Sequence, residues 1–193
     1  MVIILIILAF LLLIRVLFAY RYIGIYVVNS SMSPTLTGAE SADVAGGDFL
    51  YADTQVLPGR GDIVVLSKPD SPDEYIIKRV IALGGDTVYM DDGVVYIKYG
   101  GEDEFVALEE DYVLSSNCDP YLPQNSLPSE YDAVTVPQNC MFVLGDNRNV
   151  SHDSRYDDYG CFNYSQLVGV ITDWSYACKP FFTALYTFFT FGV

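Results

Sequence analysis

The chain has 193 residues, 51% of them hydrophobic and 15% aromatic, and its 10 Lys+Arg against 25 Asp+Glu give a formal net charge of −15. That length fits one domain with an appendage, and that apolar content excludes a disordered acidic tail. Beyond residue 23 the balance is 8 basic against 25 acidic residues, a net of −17 with no Lys/Arg cluster, and a body that repels phosphate in this way excludes nucleic acid as a partner.

The first twenty residues, MVIILIILAFLLLIRVLFAY, carry one charge. A helix of that length spans about 30 Å, the thickness of a bilayer's hydrocarbon core. Arg15 can snorkel to the nearer interface, and Tyr20 and Tyr22 suit the headgroup belt. The segment lacks the basic start and small-x-small cleavage site of a removable signal, and it is apolar on nearly every face, unlike a core helix. Residues 1–22 are therefore predicted to be a transmembrane anchor in a lipid bilayer. The flanking Arg21, taken alone, places the body in the cytoplasm by the positive-inside rule.

Residues 23–193 make the body. Ile23–Val28, Asp48–Tyr51 and Asp62–Leu66 are short apolar runs, the first and last rich in β-branched residues, and are predicted strands. Tyr75–Leu83 and Thr87–Lys98 follow, the second broken at Asp92-Gly93, a hairpin dipeptide. From Gly100 to Val134 acidic residues and Pro120, Pro123 and Pro128 dominate, so 99–134 is expected to be an inserted, loop-rich lobe. Its acidic groups, Glu102, Asp103, Glu104 and Glu109, Glu110, Asp111, set no ligand geometry and read as a solvated face, so no metal is expected.

Strand character resumes at Met141–Leu144 and Leu167–Thr172, with no repeat and no long amphipathic helix in the body. The fold class is mainly β. The aromatic stretch Phe181–Val193 is too short to span a membrane and is expected to touch one or to pack on the core. Cys118, Cys140, Cys161 and Cys178 lack metal spacing. They are free thiols or, in an exported body, form two of the bridges that three connectivities allow, with Cys118–Cys140 and Cys161–Cys178 the expected pairs.

Three blocks carry reactive groups beside rigid or apolar stretches: Ser30 to Leu36, Ile76 to Ile81 and Gly145 to Arg155. A serine nucleophile needs a base, and a Ser-His-Asp triad could use only the single histidine, His152. Lys78 lies between Ile76-Ile77 and Val80-Ile81, which disfavours its charged form. Lowering a lysine from about 10.4 to about 7.5 takes about 4 kcal/mol of differential destabilisation, within reach of burial. Strand alternation sends Arg79 to the opposite face and puts Ser151 and Asp153 on one face with His152 turned away as an exposed spacer. For an isolated lysine, a strand-edge guard against aggregation is the plainer role.

Together these blocks resemble the type I signal peptidases, membrane-anchored Ser/Lys endopeptidases that remove signal peptides from exported proteins. Ser31-Met32-Ser33-Pro34-Thr35-Leu36 matches the family's S-M-x-P-T-L, Arg60-Gly61-Asp62-Ile63-Val64 its R-G-D-I-V, Lys78 to Asp86 its K-R-V-I-x-x-x-G-D, and Gly145 to Arg155 its G-D-N-R-x-x-S-x-D-S-R. The four blocks occur in the family's order. The resemblance implies a coiled set of antiparallel sheets as catalytic body, Ser31 as nucleophile and Lys78 as general base. It makes Ser151 the group that orients the lysine, Asp153 and Arg155 a bracing pair, and Asp146 a supporting acid.

The family often has Ser or Gly two residues before the nucleophile; Asn29 stands there and, with the Ser31 N–H, is the expected oxyanion donor. Ala82-Leu83-Gly84-Gly85 replaces the common Gly-Leu-Pro-Gly, so a local difference is expected in that turn. By resemblance, Val27, Val28, Met32, Leu36 and Ile77 line shallow pockets for small residues, and the signal peptide adds as a strand along the segments leading to Ser31 and Lys78. The resemblance also puts the body on the extracytoplasmic side, with no cofactor. Two rivals are weighed: a self-cleaving repressor-type peptidase, which neither the anchor nor the charge fits, and a membrane-tethered accessory protein that binds exported chains without cutting them.

Overall fold

A computed structural model describes residues 2–119 and 133–192. Helix α1 (Val2–Arg21) is exposed along its whole length and is apolar enough to cross a membrane. Strand β1 (Tyr22–Tyr26) follows without a linker and pairs with β2 (Phe49–Asp53). Then come β3 (Ile63–Ser67), β4 (Tyr75–Leu83), β5 (Thr87–Asp91), β6 (Val94–Lys98), β7 (Val106–Ala107), β8 (Val134–Thr135), β9 (Cys140–Leu144), β10 (Phe162–Asn163) and β11 (Leu167–Ile171). Short helix α2 (Asp173–Ala177) and helix α3 (Lys179–Phe191) complete the described chain.

Every paired strand is antiparallel, in a seven-stranded sheet of order β1-β2-β11-β3-β4-β9-β10 and a four-stranded sheet of order β7-β6-β5-β8. The mainly β class is as expected, and the predicted strands lie within two residues of the observed ones. The β5–β6 hairpin turns at Asp92-Gly93, both at positive φ, the conformation this dipeptide accepts most readily. β3 (IVVLS) is buried on both faces because it lies inside the sheet, which is why its sequence reads as a continuous apolar run and does not alternate.

The nine-residue β4 serves two cores. Its first half borders a cluster of Ile25, Val27, Met32, Leu50 and Val65, while Ile81 and Ala82 join Val88, Met90, Val95, Ile97 and Phe142 between the sheets. Along β4, only Arg79 to Leu83 pair with β9, so among the described residues the Tyr75–Lys78 backbone has an open edge on that side. β1 is likewise an edge strand.

Three expectations change. The body does contain a longer helix: α3, which lays Phe182 and Tyr186 on Tyr51 and Phe49 of β2, so aromatic content hid its helical period. The expected disulfides are absent and all four cysteines are free. Cys118 Sγ instead faces the carbonyl of Gly93 in the hairpin turn, and Cys161, preceding β10, is separated from Cys178, beyond β11, by β3, β4 and β9. Finally, Glu110 is not on a solvated face, as the site below shows. Pro120, Pro123 and Pro128 of the expected lobe lie outside the described residues.

Candidate active site

After β1 the chain bends into a tight loop. Asn29 takes the left-handed backbone conformation, φ 66°, which Asn tolerates better than other side-chain-bearing residues. Its N–H donates to Ala39 O, and its carbonyl packs so closely on Gly38 that any side chain there would overlap it. This throws Ser30 and Ser31 outward, while Met32 and Leu36 turn into the core and hold the loop down. The Ser31 N–H makes no hydrogen bond to any described residue, and the Ser31 carbonyl accepts from Asn147 N at 3.0 Å.

Lys78, on β4 beside this loop, is buried and donates to Ser31 Oγ at 3.1 Å and to Ile77 O at 2.9 Å. Burial pushes its pKa from 10.5 down to about 8; nearby Arg155 pushes the same way, while Asp153 and Asp146 oppose. A weakly basic amine thus touches a hydroxyl at hydrogen-bonding distance, the arrangement a general base needs.

The loop after β9 braces the pair. Asp153 accepts from Gly145 N at 2.9 Å and from both ends of the Arg155 fork at 2.7 and 2.9 Å, and both side chains are fully buried. Arg155 also donates to the carbonyls of Arg148 and Ser151. Asp146 receives the Arg79 fork at 2.9 and 2.7 Å on the far face of β4, and the Thr35 hydroxyl from the serine loop. Gly145 lies against Ser151 and the Ser31 carbonyl with no room for a β-carbon.

The region from Gly145 to Arg155 is turns rather than strand, yet Ser151 and Asp153 are buried and His152 exposed, as alternation implied. The hydrogen bond expected between Ser151 and Lys78 is not formed; the Ser151 hydroxyl is buried with no partner among the described residues. His152 pairs with Asp158 and stacks on Tyr156 at the rim.

A cleft of about 630 Å³ runs past Ser31 and Lys78 between β1 and the open edge of β4. Val27, Val28, Met32 and Ile77 line it, as do Asn29 and, unanticipated, Ile23, Ile25 and Tyr159. Leu36 does not; it lies in the core below.

Sequence reasoning missed three supports. Arg148, fully buried, holds Gly145 O through Nε and is gripped by the Glu110 carboxylate through both terminal nitrogens. Tyr112 donates to Glu110 and lies 3.9 Å from the Arg79 guanidinium, ring to carbon. Asn117 donates to Ser33 O in the serine loop.

The model of the family described as "Signal peptidase, peptidase S26" matches residues 1–174. The chain is 34% identical over 151 residues to signal peptidase I P of Bacillus subtilis subsp. natto, covering 75% of this chain and 72% of that one. It is 36% identical over 151 residues to signal peptidase I S of Bacillus subtilis strain 168, with the same coverage of 75% and 72%. A crystal structure of a signal peptidase I from Enterococcus faecalis V583 aligns with TM-score 0.47 and 34% identity over 61% of this chain and 98% of that one. With the family model extending from α1 through β11, the chain belongs to the signal peptidase family, peptidase S26, a family of serine peptidases.

Proposed function

We propose that this chain cleaves signal peptides from exported preproteins at the outer surface of the membrane that α1 spans, using Ser31 and Lys78 as a dyad. The observation that carries the reading is the buried Lys78 amine, lowered to about 8, donating to Ser31 Oγ at 3.1 Å. The outer-surface placement follows the family's work on exported chains. The open edges of β1 and β4 suit a peptide that adds as a strand, with Val27, Val28, Met32 and Ile77 lining the cleft its side chains would enter.

In the first step Ser31 Oγ bonds to the scissile carbonyl carbon as its proton passes to Lys78 Nζ. The Ser31 N–H and the Asn29 side-chain amide stabilise the oxyanion. Lys78 then protonates the departing amine of the mature chain, leaving an acyl ester on Ser31. Water, losing a proton to Lys78, attacks that ester, and Ser31 recovers its proton as the signal peptide leaves. Ser151, whose hydroxyl has no partner among the described residues, takes the third hydrogen of the lysine when it is an ammonium.

The test is a labelled preprotein in detergent with wild type and Lys78→Ala. Wild type yields the shortened product and the variant yields none while keeping its fold by circular dichroism. Near-normal turnover by the variant would remove Lys78 from the mechanism, and no product from wild type would favour the binding-only accessory role.

A further inference from the structure

Helix α3 presents apolar side chains on two sides. One side, with Phe182 and Tyr186, packs on β2. The other presents Phe181, Ala184, Leu185 and Phe188, positions spaced three and four apart that form one stripe, and Phe189 extends it. These are exposed by 63% at Phe181, 45% at Leu185, 62% at Phe188 and 77% at Phe189. The only ionisable side chain of the helix apart from Tyr186 is Lys179, and it is tied to Asp48 and the Thr35 carbonyl. A contiguous apolar stripe of this kind on a soluble surface marks a binding face.

The position of the helix identifies what covers the stripe. Phe18, in the last turn of α1, lies 6.2 Å from Trp174, and Trp174 lies 5.6 Å from both Tyr22 and Phe182. A continuous aromatic bridge therefore sets the start of α3 at the level where α1 leaves the bilayer, the depth that Trp and Tyr favour. At 13 residues the helix is about 20 Å long, too short to span but long enough to lie along a surface. The acidic body offers no attraction to anionic headgroups, so apolar insertion is the available bond. The family model ends at residue 174, so α3 lies outside the segment by which the family is recognised.

We propose that α3 is a second membrane contact, an interfacial helix that inserts Phe181, Leu185, Phe188 and Phe189 into the same bilayer that α1 spans. The proposal rests on the anchoring role of α1 but not on the Ser31–Lys78 chemistry.

Trp174 is the only tryptophan, so Trp174→Phe leaves a silent background for single reporters. In that background the full chain carries Phe188→Trp, Leu185→Trp, Phe10→Trp in α1 or Val94→Trp at the distal hairpin, each reconstituted in phosphatidylcholine vesicles with or without brominated acyl chains. Reporters at 188 and 185 are expected to lose most of their emission to shallow-brominated lipid and to resist aqueous iodide, with position 94 the reverse. If 188 and 185 behave like 94 while 10 is quenched by lipid, the interfacial helix is refuted and the anchor stands. If position 10 also behaves like 94, the anchoring role fails and the proposal with it. Shielding of 188 and 185 from both quenchers that fades as protein is diluted into lipid means a second copy covers the stripe, which also overturns the proposal.

Discussion

Burial holds Lys78 near 8 where a free lysine titrates at 10.5, and two consequences follow, one for catalysis and one for stability. For catalysis, the amine must be neutral to accept the Ser31 proton, so the rate is expected to rise with pH through about 8 and then level. For stability, the unfolded chain holds the proton up to 10.5 and the folded one only to about 8, so stability rises with pH between these values. Below about 8 the full penalty applies, roughly 3–4 kcal/mol for a shift of this size. Lys78→Met is therefore expected to abolish cleavage yet raise the urea midpoint at about pH 6, a gain that shrinks towards zero above about pH 10.5. Equal stabilisation at all pH values would assign the gain to packing instead.

Asn29 combines its backbone role with the chemical one proposed for it, which substitutions separate. Asn29→Gly keeps the positive φ and removes the amide; it should fold normally and lose about 10²-fold or more in kcat if the side chain donates to the oxyanion. Asn29→Ala loses the amide and adds about 1–2 kcal/mol of backbone strain, seen as a lower melting temperature. Full activity in the glycine variant would leave the backbone N–H of Ser31 as the working donor.

At the scale of elements, the site is held by segments distant in sequence, and this decides what could be read in advance. Ser31, Lys78, Asp146, Asp153 and Arg155 were legible because each lies in a compact block whose residue types and order are informative. Glu110 was not, because among Glu109, Glu110 and Asp111 nothing local distinguishes the carboxylate that grips Arg148 from two that face water. The α3 helix was obscured for a related reason: apolar residues on both its faces erase the 3.6-residue contrast that marks an amphipathic helix.

Leu36 does not reach the cleft because a motif gives neighbours in sequence, whereas the chain lines the cleft only as far as Met32 and then turns Leu36 into the core. Through Arg148 and the Gly145 carbonyl, Glu110 links the segment after β7 to the wall behind Ser31. Glu110→Gln should cost about 3–5 kcal/mol, the usual result of stranding a buried charge. The double variant Glu110→Leu with Arg148→Met should be less destabilised than Glu110→Gln in urea unfolding; simple additivity would show the two groups to be independent.

Across the whole molecule, α1 and the cleft are one continuous piece. Tyr22 begins β1 directly after Arg21 ends α1, Arg21 pairs with Asp53 on the neighbouring strand, and the Thr54 N–H closes on the Arg21 carbonyl. β1 then forms a wall of the cleft that ends at Ser31. On the proposed reading, this direct junction of α1 to β1 fixes the height of the cut above the bilayer by the fold, where a flexible tether would average it.

A substrate whose apolar segment is itself held in the bilayer presents its scissile bond at one height, so stiffness matters for that substrate and is irrelevant to a short soluble peptide. Inserting Gly-Ser-Gly-Ser between Arg21 and Tyr22 is therefore expected to depress cleavage of a preprotein reconstituted in vesicles while leaving kcat/KM on a soluble signal-sequence peptide in detergent near wild type. Equal losses on both substrates would instead mean that the insertion damages β1 and the cleft. Equal retention on both would show that the rigid junction plays no part in setting the height of the cut.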